Sequence, residues 1–453
     1  MKRLCKLLKD SICSTDLEDI MCYGYDASST EGIPAAVVWP QTTDDVVTIC
    51  KFAYANNYKI IPRGAGTGMT GGGVPVVENT ILMSFEHMNR ILEVDTANLN
   101  VIVEPGVINA DLQHVLADNG YFYPPDPASL NMCTIGGNVA ENAGGPRAVK
   151  YGVTRDYVMQ LEAVLPDGNV IITGTKTAKS VVGYDLTRLL VGSEGTLATI
   201  TKIRLKILTT PDGVVTMVAF FHDPTAAGKV VSKIMASCLT PRTLEFMDKY
   251  TLDAVKKYKN IGIGDDIQTL LLIELDGNIK AIADETETVC GVCRAFNGII
   301  KFADSDKLSE MLWDIRRSAS PALYNISPGK INDDIVVPIN RVSDALGEIE
   351  KLSKSAGITV ACFGHAGDGN LHVNILLDKN NEEMLKKAQK LKKDIFELTL
   401  SLEGSISGEH GIGITKAKFI DMELGLKNLD IMRGIKKLFD SKNILNPGKI
   451  FPS

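Results

Sequence analysis

Three of the six histidines in this 453-residue chain fall in two short glycine-rich stretches, "CFGHAGDGNLHVNILL" and "SISGEHGIGITKAKF". His365 stands at a glycine-rich turn, and His372 and Asn374 lie two apart in the strand-like run that follows, so the latter two project to one face. Glu409 and His410 are flanked by Gly408 and Gly411, and glycines there leave room for a ligand to approach. Two imidazoles and a carboxylate, His365, His372 and Glu409, suit a divalent metal with open positions, whether zinc, ferrous iron or manganese. Buried, hydrogen-bonded histidines are the competing reading of such spacing. Against it, four proton-handling side chains in glycine-rich settings have no obvious packing task. A third candidate is the arginine pair Arg316-Arg317 in "EMLWDIRRSASPALYNISPGK". A guanidinium can clamp a carboxylate through two parallel hydrogen bonds, and solvated charges near a helix end are the alternative.

A different chemistry belongs to "IPRGAGTGMTGGGVPV", which carries six glycines from Gly64 to Gly73. Bare backbone N–H groups of this kind receive phosphate. Gly66 to Gly71 satisfies the G-x-G-x-x-G pattern, yet "GGVPVVENTILMSF" after it reads as turn and strand, whereas a Rossmann fingerprint opens a helix. No Gly-Lys-Ser/Thr follows to make a P-loop. A phosphate cradle and a flexible hairpin loop both remain open from the glycines alone.

The elements that must position these groups are legible in outline. "AAVVWPQTTDDVVTICKFAYANNYKIIPRG" reads as strand, helix opened by Thr43 and Asp44, and strand into the glycine loop. "NADLQHVLADNG" reads as a helix capped by Asn109 and closed by Gly120. The long irregular run "PPDPASLNMCTIGGNVAENAGGPRAVKYGVTRDYV" has the character of a binding segment, and Asp167-Gly168 that of a hairpin turn. Near Thr210 to Gly213 the pattern shifts to strands alternating with amphipathic helices, an α+β arrangement with an antiparallel sheet, and from about residue 380 onward it is mostly helical.

The bulk numbers narrow the partners. A net charge of −7 without a basic stripe argues against nucleic acid. No run of eighteen apolar residues predicts a membrane span, and "MKRLCKLLKDSIC" suits a docked first helix better than a signal peptide. The cytoplasm is the expected location, with a membrane surface reached only through a partner. Nine dispersed cysteines read as reduced thiols, and Cys290 and Cys293 as structural.

Taken together, "PRGAGTGMTGGG", "PPDPAS", "TIGGNVAENAGG", "GYDLTRLLVGSEGTLATI", "GHAGDGNLHVNI", "GSISGEHGIG" and "NILNPGKI" resemble the FAD-linked D-2-hydroxy-acid dehydrogenases, in order and from about residue 20 to the C-terminus. The resemblance implies an α+β protein: a two-part FAD-binding domain of the p-cresol methylhydroxylase/vanillyl-alcohol oxidase type over 1–211, then a ferredoxin-like substrate domain with a helical C-terminal segment over 212–453. It implies FAD contacts from Pro62, Arg63, Gly64, Ala65, Gly66, Thr67, Gly68, Met69 and Thr70 of the first loop, and from Pro125, Asp126 and Ser129. Further contacts fall to Thr134, Gly136, Gly137, Asn138, Asn142, Gly144 and Gly145, and to Gly195, Ile200 and Asn446. Some relatives tether FAD through a histidine in the first loop; Ala65, Thr67 and Met69 offer no nucleophile, so noncovalent FAD is expected.

By the same resemblance, His365, His372 and Glu409 carry a divalent metal, His410 is the catalytic base and touches substrate, Arg316 binds the substrate carboxylate, and Asn374 contacts substrate. The implied reaction is oxidation of a small D-2-hydroxy acid, with electrons passing to a partner: an iron–sulfur subunit, an electron-transfer flavoprotein, a quinone or a soluble dye. The 2-hydroxyglutarate enzymes place a lysine where this chain has Asn332, with Lys330 two residues earlier, which favours lactate or glycolate over 2-hydroxyglutarate. A noncatalytic electron-transferring flavin subunit is the remaining alternative.

Overall fold

The chain enters the first glycine loop as strand, helix and strand, over Ala36–Val38, Thr43–Asn56 and Lys59–Arg63. Thr42, one residue before the expected start, caps the helix in a reciprocal box with Asp45, and Asn57 ends it in the left-handed region at φ 57°. Val46, Ile49, Cys50 and Ala53 on its inner face are fully buried. The helix Asn109–Ala117 departs from expectation. Asn109 does not cap it but is its buried first residue, donating Nδ2 to the Pro125 carbonyl at 3.2 Å, while Ile108 holds the cap position without a side-chain bond.

The computed structural model describes residues 1–8, 12–259 and 262–451, and these divide into two units that interleave in sequence. The first unit takes 1–144, 152–210 and 409–453; the second takes 145–151 and 211–408. Where the sequence suggested contiguous halves meeting at 211/212, the C-terminal segment returns to the first unit. Pairing and burial explain the return. Ile60 forms a parallel bridge with Leu445 and donates its N–H to the Ile444 carbonyl, and both C-terminal residues are fully buried beside Val46 and Ile49.

The first unit holds a four-stranded sheet in the order Cys13–Ser14, Ala36–Val38, Thr80–Ser84, Lys59–Arg63, parallel except at its first pair. It also holds a five-stranded antiparallel sheet in the order Ile91–Asp95, Asn100–Val103, Thr199–Lys206, Val158–Val164, Val170–Gly174. The last pair is the expected hairpin, with Gly168 at φ 85°.

The second unit is built on a seven-stranded antiparallel sheet. Its first four strands, Ile299–Phe302, Gly213–Phe221, Thr269–Gly277 and Thr243–Met247, lie in the 4-1-3-2 order of a ferredoxin-like unit. Val360–His365, Asn370–Leu377 and Gly329–Val336 extend it. The register places Glu245 opposite His365, Phe363 opposite His372, and Ala361 and Asn332 opposite Asn374, so these side chains share one face. The apolar part of that face, including Val218, Leu272 and Phe363, is covered by Leu252 and Val255 of the helix Lys249–Tyr258 and by Ile315 and Ala319.

Among the cysteines, expected to be reduced, Cys5 and Cys13 form a disulfide. The first helix, Lys2–Leu8, docks through buried Leu4 and Leu8 and so brings the pair together, which dispersed spacing does not reveal. Cys290 and Cys293 are buried on one helix, where burial pushes the Cys293 thiol up to about 12. Among the described residues no helix is long and apolar enough to cross a membrane.

Candidate functional site

In the first unit the glycine loop leaves the strand Lys59–Arg63 and bends through Gly66 and Gly71, at φ 71° and 80°. A Cβ at Gly66 would collide with the Arg63 guanidinium, which is buried beneath the loop and donates Nη1 to the Gly73 carbonyl at 3.2 Å. A Cβ at Gly64 would collide with Thr134 Oγ1, the hydroxyl that caps the helix Ile135–Glu141. Gly64 of the first glycine-rich stretch therefore lies against the Thr134 side chain that opens the second, closer than a Cβ would allow.

Between them lies a cavity of about 250 Å³. Its wall includes the loop from Pro62 to Met69, then Ser129, Thr134, Gly136, Gly137, Asn138, Gly144, Gly195, Ile200 and Asn446, with Glu409 and His410 beside them. Four buried polar atoms of its wall residues, Asp26 Oδ2, Asn138 Nδ2, Glu141 Oε2 and Asn446 Oδ1, have no hydrogen-bond partner among the described residues. A cradle of bare N–H groups with such orphaned atoms in its wall fits a large polar ligand carrying phosphate.

Other expected contact residues do not line this cavity. Thr70 is buried and donates Oγ1 to the His410 carbonyl at 3.2 Å. Pro125 receives Asn109, and Asn142 ends the helix in the left-handed region while accepting the Arg155 N–H. Asp126 is absent from the wall, and Gly145 belongs to the second unit.

Three carboxylates that the sequence reading missed, Glu194, Glu141 and Asp26, stand in the wall. Glu194, at φ 51°, accepts the N–H groups of Ile412 and Gly413, each at 2.8 Å, and so fixes the segment that carries His410. Asn446 ties in the C-terminus, donating Nδ2 to the carbonyls of Gly72 and Glu194. Glu141 is the second: burial, with Glu194 and Asp26 nearby, holds its carboxyl well above the usual range. The only sequence signal of Glu141 and Glu194 is their place within the motifs "VAEN" and "GSEG".

In the second unit the shared sheet face gathers the other expected residues. His365 ends the strand Val360–His365, and its ring meets that of His372 edge-on, with centroids 5.2 Å apart and nitrogens within 4.8 Å. Asn374 is fully buried; its Nδ2 reaches the Ala361 and His372 carbonyls, and its Oδ1 has no partner among the described residues. Arg316, at the end of the helix Asp306–Arg317, is buried over the Phe363 ring.

Glu245, also missed, lies between the two groups. Its Oε1 is 2.6 Å from His365 Nδ1, and its Oε2 accepts Arg316 Nε at 2.6 Å. Burial opposes its ionisation, but His365 and Arg316 outweigh burial and hold the carboxyl below the usual range. Arg317 instead points to Glu310 at the exposed surface. The unit ends with Gly408, whose N–H is pinned at 2.8 Å on Asp334, the residue opposite His372. Glu409 and His410 follow directly in the chain, with His410 Nε2 3.9 Å from Glu409 Oε1.

Comparison with known proteins adds to this geometry. Residues 210–450 match the family described as FAD linked oxidases, C-terminal domain, and residues 34–174 match an FAD binding domain. The chain is 40% identical over 433 residues to the glycolate oxidase subunit GlcD of Bacillus subtilis (strain 168), spanning 95% of this chain and 92% of that one. It is 35% identical over 428 residues to D-lactate dehydrogenase of Anaerostipes hadrus, spanning 92% and 89%. Among solved structures it is similar to p-cresol methylhydroxylase with substrate bound, at a TM-score of 0.82 and 17% identity over 99% of this chain and 95% of that one. At that identity the likeness concerns the fold alone.

Proposed function

This chain belongs to the FAD-linked oxidases, and on that premise we propose that it oxidises a small D-2-hydroxy acid, D-lactate or glycolate, to the 2-oxo acid. The observation that carries the substrate class is Arg316. Its guanidinium is buried, oriented through Nε by Glu245, and makes no hydrogen bond through its Nη groups among the described residues, which suits a two-point grip on a carboxylate. FAD, when bound, supplies the acceptor for the hydride from C2, and a divalent ion, when bound, supplies a Lewis acid for the 2-hydroxyl.

Each residue then has one task. The glycine loop and Thr134 to Gly144 hold the FAD phosphates and ring system without a covalent bond. His365, His372 and Glu409 hold the zinc, iron or manganese: the two imidazoles share a face in the second unit, and Glu409 follows the Gly408 amide that is anchored beside His372. Arg316 and Asn374 orient the acid, and His410 takes the hydroxyl proton. A short acid is preferred because Asn332 offers no charge to a second carboxylate, and the Lys330 ammonium is engaged by the carbonyl and hydroxyl of Ser320. With no cluster-forming run of cysteines, the chain hands its electrons to a separate partner.

Anaerobic addition of D-lactate, L-lactate, glycolate and D-2-hydroxyglutarate to the purified holoenzyme tests the reading. D-lactate or glycolate should bleach the flavin absorbance, and removal of the metal with a chelator should slow that bleaching. Flavin that stays oxidised with every short acid sinks the proposal. His372→Ala should lose bound metal; equal metal in variant and wild type removes the ligand assignment.

A further inference from the structure

We propose that Glu245 is a positioning residue that sets the substrate clamp and one metal ligand at the same time. The inference rests on the metal and substrate reading above and extends it to a residue outside both ligand sets. Glu245 sits in the strand Thr243–Met247, fully buried and directly opposite His365. A buried ion pair is weak as a source of stability, since apolar residues of similar volume do as well, so its presence on this face calls for another role.

The geometry supplies that role. An ionised carboxylate only accepts hydrogen bonds, so the 2.6 Å contact to Oε1 requires the proton of a neutral His365 on Nδ1 and its lone pair on Nε2. This is the tautomer a metal needs, and the same contact fixes the ring plane. The other oxygen takes Arg316 Nε at 2.6 Å, and because a guanidinium is planar this fixes both Nη groups, with the Phe363 ring 4.9 Å beneath. One carboxylate thus couples the orientation of a metal ligand to that of the substrate's carboxylate partner.

Replacing Glu245 by glutamine keeps one acceptor and turns the other into an NH₂ group. Either Arg316 Nε or His365 Nδ1 then faces a donor, and His365 escapes only by moving its own proton to Nε2. The test is E245Q in the full-length, FAD-loaded protein, with zinc affinity measured by chelator competition and KM and kcat measured with the better of D-lactate and glycolate. Zinc affinity should fall about 10–100-fold, as for lost outer partners of metal-binding histidines, and KM should rise more than kcat falls. A variant that matches wild type in zinc affinity and KM overturns the proposal, as does one that changes only in melting temperature and FAD content.

Wild type that binds no zinc and is reduced by no acid fails the parent reading and takes this one with it; wild type that does both separates the two. If E245Q does not fold, long-range ¹H–¹⁵N spectra of the metal-free wild type decide. His365 carrying its proton on Nδ1 supports the proposal, and a proton on Nε2 overturns it.

Discussion

Glu194 offers the sharpest test of how the first unit holds the segment that carries His410, the proposed base. Its two oxygens accept the Ile412 and Gly413 amides at 2.8 Å each, while Thr70 accepts the Ile414 amide at 2.8 Å, so the backbone just after His410 is fastened at three successive residues. In Glu194→Gln one of the two amides meets an NH₂ group. A hydrogen bond to a buried charge is worth about 1.5–3 kcal/mol, and an amide left without an acceptor adds about 1–3 kcal/mol. Burial opposes the carboxylate charge that the substitution removes, which offsets part of the loss. A net destabilisation of about 2 kcal/mol lowers the melting temperature of a unit of this size by roughly 4–8 °C.

The catalytic effect should be larger than the thermal one. His410, the proposed base, is two residues from Ile412, and for a base a displacement on the order of 1 Å costs about 100-fold in rate. Flavin fluorescence during heating gives the first quantity, and anaerobic stopped-flow reduction by glycolate or D-lactate gives the second. A melting temperature within about 1 °C of wild type refutes the hydrogen-bond reasoning. A lowered melting temperature with an unchanged reduction rate refutes the link from Glu194 to His410.

Two other outcomes follow from described groups. Acid precipitation should leave all the flavin in the supernatant, because Ala65, Thr67 and Met69 give the loop no nucleophile; flavin in the washed pellet contradicts this. Burial pushes the Lys330 ammonium down to about 8, and it makes no ion pair among the described residues. The unfolded chain therefore binds that proton more tightly than the folded one between pH 8 and about 10.4, so stability rises across this window by up to about 3 kcal/mol, and below pH 8 the penalty is fully present. Urea unfolding followed by the fluorescence of Trp313 in a Trp39→Phe background should show this rise with Lys330 present and a flatter profile in Lys330→Met; equal slopes argue against the buried charge.

Local pattern revealed what local physics decides. The strand after the glycine loop, the hairpin at Asp167-Gly168 and the shared face of His372 and Asn374 follow from turn chemistry and the two-residue period of a strand. Glu245 could not be found that way. In "TLEFM" it is one charged residue in an apolar strand, and its partners lie 71 and 120 residues away. The same holds for Glu194, whose amide partners are 218 and 219 residues distant. Asn109 has the sequence signature of a cap because asparagine commonly is one, but a tertiary acceptor, the Pro125 carbonyl, takes its side chain instead. The interleaved units escaped the sequence for a related reason: a single bridge at Ile60 and two buried residues, Ile444 and Leu445, leave no periodic signal.

The return of residues 409–453 to the first unit has a consequence for synthesis. Lys59 on the loop-bearing strand donates Nζ to the carbonyl of Asn443, 384 residues later. At about 5–20 residues per second a ribosome needs roughly 20–80 s to deliver that partner, during which the edge at Ile60 waits uncovered and open to wrong pairing. A premature stop near residue 440 would therefore strike the nucleotide-binding unit, although the lost codons lie in the part of the chain matched to the C-terminal oxidase domain.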